Sequence, residues 1–330
     1  MRASVIINPR AGAVNVEKLR DKISEALFRC DLHFHIVKER SKVIAFISDE
    51  LKNNTDALVV CGGDGTINET IQIIMNIKHS KRTPPLCLIS SGTANDLSHE
   101  LGIHQKINEA ARVILNGKEK MIDVVEAEAD GVKKYMLTNG GFGIPAATAD
   151  KANQLRAFLQ KQSQDSEISP YIRIVSDYSH RFVKKMGSEV YSTLLLQSLL
   201  NWDSKNWDVE IEFEDGSKRI SHSPFLLINN QPFLGQKYLI APFTKNSDGT
   251  INLTIIESRH LATHILSVLK VLRGTLRESE FVSVIETTSF IVRSLNSKRP
   301  LTFFGDGEIL FRDVREIKFK CHHQKLSVMI

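Results

Sequence analysis

The sequence is short of cysteine, of long apolar runs and of any one-sided charge. Its four cysteines, Cys30, Cys61, Cys87 and Cys321, stand far apart with no Cys-x-x-Cys pair. Neither a disulfide framework nor a zinc site is expected from such spacing. Cys61 and Cys87 lie in apolar runs, where a thiol acts as a small hydrophobe. The greasiest stretches, such as Leu194–Leu196 and Ile265–Leu272, fall well below the roughly 20 residues that span a bilayer. The opening Met1-Arg2-Ala3-Ser4-Val5-Ile6-Ile7-Asn8-Pro9 has too brief an apolar run for a secretion signal. The expectation is a cytoplasmic, reduced protein. Basic residues number 43 against 38 acidic ones, a net charge of +5. That excess is too slight and too dispersed to announce a nucleic-acid partner, so none is expected. It would suit an anionic small molecule or an anionic membrane face. No repeat or low-complexity tract is evident.

What is present is a length of 330 residues with 42% hydrophobic and 25% charged residues, enough for about two soluble domains with real cores. The first third alternates strand-like and helix-like patterns. Ser4–Ile7, Phe34–Val37, Ala57–Cys61 and Leu86–Ile89 are short apolar runs. Val16, Leu19, Ile23 and Leu27 share one helical face, as do Val43, Phe46, Ile47 and Leu51, and then Ile67, Ile71 and Ile74; a further helix is expected near Asp96–Leu101. Four strand–helix units in a row imply an open, mostly parallel α/β domain of Rossmann-like type. After about residue 122 the texture changes. Val209–Phe213 alternates strictly and meets Asp215-Gly216, a hairpin signal. Further strand-like runs are interrupted by helical stretches near 145–186 and 260–273. We therefore expect an α/β domain over 1–122 and a mainly antiparallel β-sandwich over 123–311, with the last strands near 312–330 returning to the first domain.

The sharpest motif is Gly62-Gly63-Asp64-Gly65-Thr66, between the strand ending at Cys61 and the helix beginning near Ile67. Glycines allow close backbone approach, and a helix N-terminus offers unpaired N–H groups and positive partial charge; together these make a phosphate cradle. No Gly-Lys-Ser/Thr follows, and Asn68 stands where a dinucleotide fingerprint needs glycine, so neither familiar loop is present. A carboxylate beside phosphates is repelled, so either Mg²⁺ joins Asp64 or Asp64 binds a hydroxyl. A plain tight turn would also use glycine. A second loop, Ser90-Ser91-Gly92-Thr93-Ala94-Asn95-Asp96, has the same placement, with Asn95 or Asp96 able to cap the next helix. Asn8-Pro9-Arg10-Ala11-Gly12 occupies the equivalent edge, where open α/β sheets bind ligands.

These residues resemble the diacylglycerol-kinase catalytic-domain family of lipid kinases, which is related to the NAD kinases, over essentially the whole chain. The resemblance rests on Asn8-Pro9 and Gly12, on Gly62–Thr66 with Asn68 and Glu69, and on Gly92-Thr93-Ala94-Asn95-Asp96-Leu97. It extends to Asp123, to Asn139-Gly140-Gly141-Phe142-Gly143, to Ala241-Pro242 with Asp248-Gly249, and to Gly305-Asp306-Gly307-Glu308. It implies the two-domain NAD kinase/diacylglycerol kinase-like architecture and ATP-dependent phosphorylation of a lipid hydroxyl with Mg²⁺. The lipid would be diacylglycerol, phosphatidylglycerol or a sphingoid base. It places nucleotide contacts at Asn8 and Pro9, at Gly62, Gly63, Asp64, Gly65, Thr66 and Glu69, and at Gly92 and Thr93. It implies a catalytic base among Asp306 and Glu308, and a Mg²⁺ site near Asp248 with backbone carbonyls of Lys245 and Thr250. Lys38 or Ser41 stands where the family often has threonine, and Ser247-Asp248 replaces an acid pair.

Asp306 and Glu308, two residues apart, would project to one side of an extended segment, and either could take the proton of a substrate hydroxyl. The same four residues also read as a hairpin turn between Leu301–Phe304 and Ile309–Arg312. Asp248 is a metal ligand or part of an ordinary turn. His260 and His264 read as a surface pair, and His322-His323 as a strand end or exposed loop. Ile168–Met186, with Arg181, Lys184 and Lys185, is either core packing or an amphipathic helix meeting anionic lipid. The leading expectation is a lipid kinase, peripherally membrane-associated, whose unpaired strand edges offer a route to a homodimer. Its rivals are an NAD kinase-like enzyme acting on a soluble nucleotide and a catalytically silent nucleotide- or lipid-binding regulator.

Overall fold

The computed structural model describes residues 1–9, 15–77, 83–92, 94–103, 106–164, 193–202, 207–235, 238–258, 260–272 and 280–330. The first units are β1 (Arg2–Ile7), α1 (Val16–Ala26), β2 (Asp31–Ile36), α2 (Arg40–Lys52), β3 (Ala57–Gly62), α3 (Asp64–Asn76), β4 (Leu86–Ser90), α4 (Asp96–Glu100) and α5 (Ile107–Asn116). The four strands pair in parallel in the order β2-β1-β3-β4. Alternate residues of these strands face opposite ways. Val5, Val59 and Cys61 pack with Leu19, Ile23 and Ile114 of α1 and α5. Ile6, Leu58 and Val60 pack with Val43, Ile47, Ile67 and Ile71 of α2 and α3. A strand covered on both faces must be apolar throughout, and all six residues of β3 are buried.

The remainder carries β5 (Glu119–Ala129), β6 (Val132–Met136), β7 (Asn139–Gly143), α6 (Ile144–Gln164) and a helix at 193–200, α7. There follow β8 (Val209–Phe213), β9 (Lys218–Ser221), β10 (Phe225–Asn229), β11 (Phe233–Leu234), β12 (Tyr238–Leu239), β13 (Ile251–Ile256) and α8 (Leu261–Leu272). The chain closes with β14 (Val282–Thr287), β15 (Ser289–Ser294), β16 (Leu301–Gly305), β17 (Glu308–Val314) and β18 (Glu316–Met329). Six of these strands form an antiparallel sheet in the order β14-β13-β10-β7-β16-β17. Its inner face meets β5, β8, β15 and β18 across a core that includes Phe142, Phe303 and Phe319, with the Phe142 and Phe303 rings 5.1 Å apart. The outer face is covered by α6, whose Ile144 and Ala149 pack on Phe225, Leu227 and Phe304. This is the expected pair of layers, an α/β domain and an antiparallel sandwich.

The two layers are not separate sheets. β18 pairs with β5 on one edge. On the other it meets β15 near its start and β4 at Val328. A single ten-stranded sheet therefore runs through both halves, and the 122/123 division falls inside β5. A bulge lies between His322 and Leu326, with Gln324 at φ 45°. The fully buried carboxylate of Asp123 fills it, accepting from Gln324 N at 2.6 Å, from Gly249 N at 2.7 Å and meeting His323 Nδ1 at 3.1 Å. His322 meets Glu126 at 3.1 Å. The histidine pair thus lies inside a strand and not in a loop, because two carboxylates of β5 face it.

Two further expectations change. His264 is buried, at 2% exposure, while His260 is exposed, so they are no surface pair. The reason is that the helix from Leu261 turns His264 and Ser267 inward and leaves Leu266 and Leu269 outside. The Ile168–Met186 stretch lies outside the described residues. No helix among the described residues is long and apolar enough to cross a membrane.

Candidate active site

The glycine loop follows β3 and leads directly into α3. Gly63 is the last residue before the helix, in extended backbone, and Asp64 begins the first turn. The two glycine loops touch through their backbones. A Cβ on Gly63 would lie 2.9 Å from Gly92 Cα, and one on Gly92 would lie 2.6 Å from Gly63 Cα. Real Cβ atoms do not approach that closely, so glycine is required at both positions for the β3 and β4 loops to meet. Asn8, at the end of β1, donates from Nδ2 to Thr66 Oγ1 at 2.9 Å, and Pro9 follows it in a turn. Glu69, one turn into α3, pairs with Arg40 at 3.6 Å. Gly62, Gly63, Gly65, Thr66, Asn8, Pro9, Glu69 and Gly92 therefore share one edge of the parallel sheet. Thr93 and the Arg10–Gly12 segment lie outside the described residues.

Both oxygens of Asp64 accept from backbone amides of the second loop. Its Oδ2 accepts from Asn95 N at 2.7 Å and its Oδ1 from Asp96 N at 2.8 Å. It thus caps α4 from another loop. Asn95 is left-handed at φ 52° and makes no cap bond of its own. Instead its side chain closes the loop, accepting from Gly92 N and donating to Gly92 O, each at 3.0 Å. Burial pushes the Asp64 carboxyl above the ordinary aspartate range. The two backbone amides oppose that shift, and the charge of Asp306 adds to it.

The other half of the site comes from the sandwich. Asp306 and Gly307 form the two-residue turn between β16 and β17, with φ 52° and 80° and Gly305 paired to Glu308. Positive φ at both central residues is the type I′ hairpin that Asp-Gly favours. The segment is a turn, so the two carboxylates do not project to one side. Asp306 turns inward. It accepts from Asn68 Nδ2 at 2.8 Å, Leu137 N at 3.1 Å, Thr138 N at 2.8 Å and Thr138 Oγ1 at 2.8 Å. Burial raises its carboxyl, and these donors pull it back. Glu308 turns outward, with its side chain 40% exposed, and lies 3.8 Å from the Arg156 guanidinium. Its Oε1 sits 3.2 Å from where a Cβ on Gly65 would lie, beside the first turn of α3. Partial burial pushes the Glu308 carboxyl up. Arg156 opposes that, while Asp306 and Asp64 add to it. Three carboxylates from two domains thus converge over the glycine loop.

The loop expected to hold Mg²⁺ is organised differently. Asp248 Oδ1 accepts from Thr250 N at 3.1 Å and Thr250 Oγ1 at 2.9 Å, closing an Asx-type turn. The Thr250 carbonyl accepts a weak bond from Cys321 Sγ at 3.9 Å, and the Lys245 side chain is exposed. Among the described residues no three acidic, histidine or cysteine side chains gather to hold a metal. Asp248 is thus the single acidic residue of the 245–250 loop, and a Mg²⁺ there would take its other protein ligands from backbone carbonyls.

The sequence matches two family descriptions in succession. "Diacylglycerol kinase catalytic domain" covers residues 2–127, and "YegS C-terminal NAD kinase beta sandwich-like domain" covers 173–329. The chain belongs to the diacylglycerol kinase catalytic-domain family. A "Probable lipid kinase YegS-like" of Klebsiella pneumoniae is 31% identical over 48% of this chain, a match spanning 51% of that protein. A "Diacylglycerol kinase" of Bacillus subtilis is 24% identical over 83% of this chain and 79% of its own. A crystal structure of a diacylglycerol kinase from Bacillus anthracis superposes with a TM-score of 0.67 at 19% identity, covering 99% of this chain and 96% of that one. That likeness shows the same fold.

Within this lipid-kinase frame, several residues to which the sequence analysis gave no role hold the site together. Asn68 and Gln72 follow Asp64 at helical spacing and form a polar stripe on α3 beside its apolar one. Gln72 Nε2 donates to Tyr135 O at 2.6 Å and Gln72 Oε1 accepts from Tyr135 N at 3.0 Å. That stripe was visible as a signal. Thr138, Asn153 and Arg156 gave none. Asn153 Nδ2 donates to Gly307 O at 3.2 Å, and Asp150 binds Arg312 at 2.6 Å, so α6 clasps the Asp306–Gly307 turn along one face.

Proposed function

We propose that this chain transfers the terminal phosphoryl group of ATP to a hydroxyl of a membrane lipid, diacylglycerol or a similar one. The observation that carries the reading is the meeting of two parts built on different domains. One is a glycine-rich helix N-terminus, suited to phosphate. The other is a carboxylate, Glu308, brought to 3.2 Å from the Cβ position of Gly65. Phosphoryl transfer needs positioning, charge neutralisation and a group for the hydroxyl proton, and these residues offer the first and the last.

In this reading Gly62, Gly63 and Gly65 and the first amides of α3 receive the phosphates. Asn8 and Thr66 fix the loop's shape, and the Gly63–Gly92 contact keeps the second loop against it. Mg²⁺, when bound, would neutralise charge on the phosphates. The acceptor hydroxyl arrives from the sandwich side, at the Gly305–Glu308 turn. The protein acts at a membrane surface without crossing it, which its mild basic excess favours on anionic lipid.

The test is transfer of radiolabel from ATP in the presence of an extracted lipid pool. Label in the organic phase supports the reading. Label in soluble nucleotide would favour the NAD kinase-like alternative, and no label would favour a silent regulator.

A further inference from the structure

Three amide side chains on the outer face of the six-stranded sheet are buried with their oxygens turned away from every donor. Asn229, the last residue of β10, falls by strand alternation on the same face as Phe225 and Leu227, which pack against α6. Asn139, the first residue of β7, stands directly opposite Asn229. Their side chains therefore share that face, with Cβ atoms about 4.5–5.5 Å apart. Gln231 joins them, because Gln231 Nε2 and Asn139 Nδ2 donate to one carbonyl, Phe233 O, at 2.9 and 2.6 Å. Asn229 Nδ2 donates to Asn252 O at 3.0 Å and to Thr254 Oγ1 at 2.9 Å. A backbone carbonyl can only accept, so these bonds fix which end of each amide is nitrogen. The Asn229 nitrogen faces β13, and its oxygen therefore faces β7 and Asn139. All three residues are at most 1% exposed. Asn139 Oδ1, Asn229 Oδ1 and Gln231 Oε1 meet no donor among the described residues.

Burying an acceptor without a donor is costly, and neighbouring carbonyl dipoles of like sense repel. One positive ion would answer all three oxygens at once. Neutral carbonyl oxygens suit a singly charged ion, whose hydration shell they replace, whereas Mg²⁺ and Ca²⁺ sites draw on carboxylates. None of the three amides bonds a carboxylate, but two carboxylic residues border them. Asp306 N donates to Asn139 O, and Gly235 N to Asp96 Oδ2, each at 3.0 Å. Their negative charge favours a cation here without entering its shell.

We propose that Asn139 Oδ1, Asn229 Oδ1 and Gln231 Oε1 hold a monovalent alkali cation, K⁺ or Na⁺. The ion ties the 229–233 stretch to the start of β7. That start adjoins Thr138, whose amide and hydroxyl each donate to Asp306 at 2.8 Å. The cation is thus a support for the Asp306 turn, placed on the sandwich side of the cleft. The site does not depend on the kinase reading, and its test reads stability and ion binding.

Thermal unfolding of the full chain in choline, sodium or potassium chloride at equal ionic strength provides the test. For a Kd of about 10 mM, about 150 mM of the preferred ion raises the folded-to-unfolded ratio about 16-fold. The midpoint should therefore rise saturably with one alkali ion over choline. Gln231→Met keeps the side-chain length and removes the oxygen, and should abolish most of that rise. If potassium is preferred, crystals grown with rubidium chloride should show an anomalous peak where the three oxygens meet. If sodium is preferred, sodium NMR line broadening that Gln231→Met removes takes its place. Equal midpoints in all three salts overturn the proposal. So does a Gln231→Met protein that keeps the full rise, or an ordered water alone at that point. Should Gln231→Met not fold, the wild-type salt series and the direct ion signal decide.

Discussion

The side-chain amide of Asn68 donates to Asp306 Oδ2 across 2.8 Å, joining residues 238 positions apart in sequence. Asn68 rides on the nucleotide helix and Asp306 on a sandwich hairpin. One hydrogen bond therefore couples the orientation of two domains, and both partners are buried. A buried hydrogen bond to a charged group is worth about 1.5–3 kcal/mol, and removing one partner leaves the other poorly solvated. Asn68→Ala should lower unfolding stability by about 2 kcal/mol in urea titration. The turnover number should fall while ATP binding, measured by calorimetry, stays close to wild type. Loss of ATP affinity with intact turnover would contradict this coupling.

Asp64 does for α4 what a local capping residue does elsewhere. Its two oxygens satisfy the first amides of a helix that begins 32 residues later. Replacing the carboxylate by the isosteric amide in Asp64→Asn would set an N–H₂ group against one of those N–H donors. Loss of a cap costs about 1–2 kcal/mol. We expect that destabilisation together with a raised KM for ATP, because the loop that carries Gly92 is anchored at the same point. Unchanged Mg²⁺ dependence in the variant would show that the remaining lone pairs of Asp64 hold no metal.

Gly92→Ala tests the glycine-on-glycine contact. The new methyl would lie 2.6 Å from Gly63 Cα and 2.7 Å from Asn95 Oδ1. The first neighbour is backbone and cannot rotate away, so the loops must part. A displacement near 1 Å at a reacting centre can cost roughly 100-fold in rate. We expect kcat/KM for ATP to fall by about that factor while the far-ultraviolet circular dichroism stays native. An alanine variant with wild-type kinetics would show that the loops do not need to touch.

Much of this was legible from spacing alone. The buried strand Ala57–Cys61 and the helical stripe Ile67, Ile71 and Ile74 fixed the first layers, because local periodicity reports burial. The Asp306-Gly307 pair is read correctly as a hairpin by turn chemistry, since both central residues need positive φ. What spacing could not show is which carboxylate points inward. That depends on Thr138 and Leu137, which are 168 and 169 residues away from Asp306, and on a helix whose Arg156 has no sequence mark. Long-range pairing also hid β18, a 14-residue strand that stitches both domains into one sheet. The backbone partners of Asp64 escape spacing for the same reason: they come from the next loop, and no local rule anticipates them.

Protonation of Glu308 gives a further check that needs no substrate. Burial, with the charges of Asp306 and Asp64, raises its carboxyl above the usual glutamate value, and Arg156 only partly offsets this. In the unfolded chain glutamate titrates near about 4.3. The folded state therefore binds the proton more tightly than the unfolded one. Its stabilising contribution is fully present below the unfolded value and is lost as pH rises through the folded one. Glu308→Gln cannot titrate there. At pH 4 and below, variant and wild type should be equally stable, and as pH rises toward 8 the variant should become the more stable. Urea midpoints collected across that range measure the difference directly. Asp64 and Asp306, whose carboxyls are also raised by burial, titrate alike in both proteins and so largely cancel from it. A difference that shrinks with rising pH would mean that Arg156 outweighs the burial and the two neighbouring carboxylates.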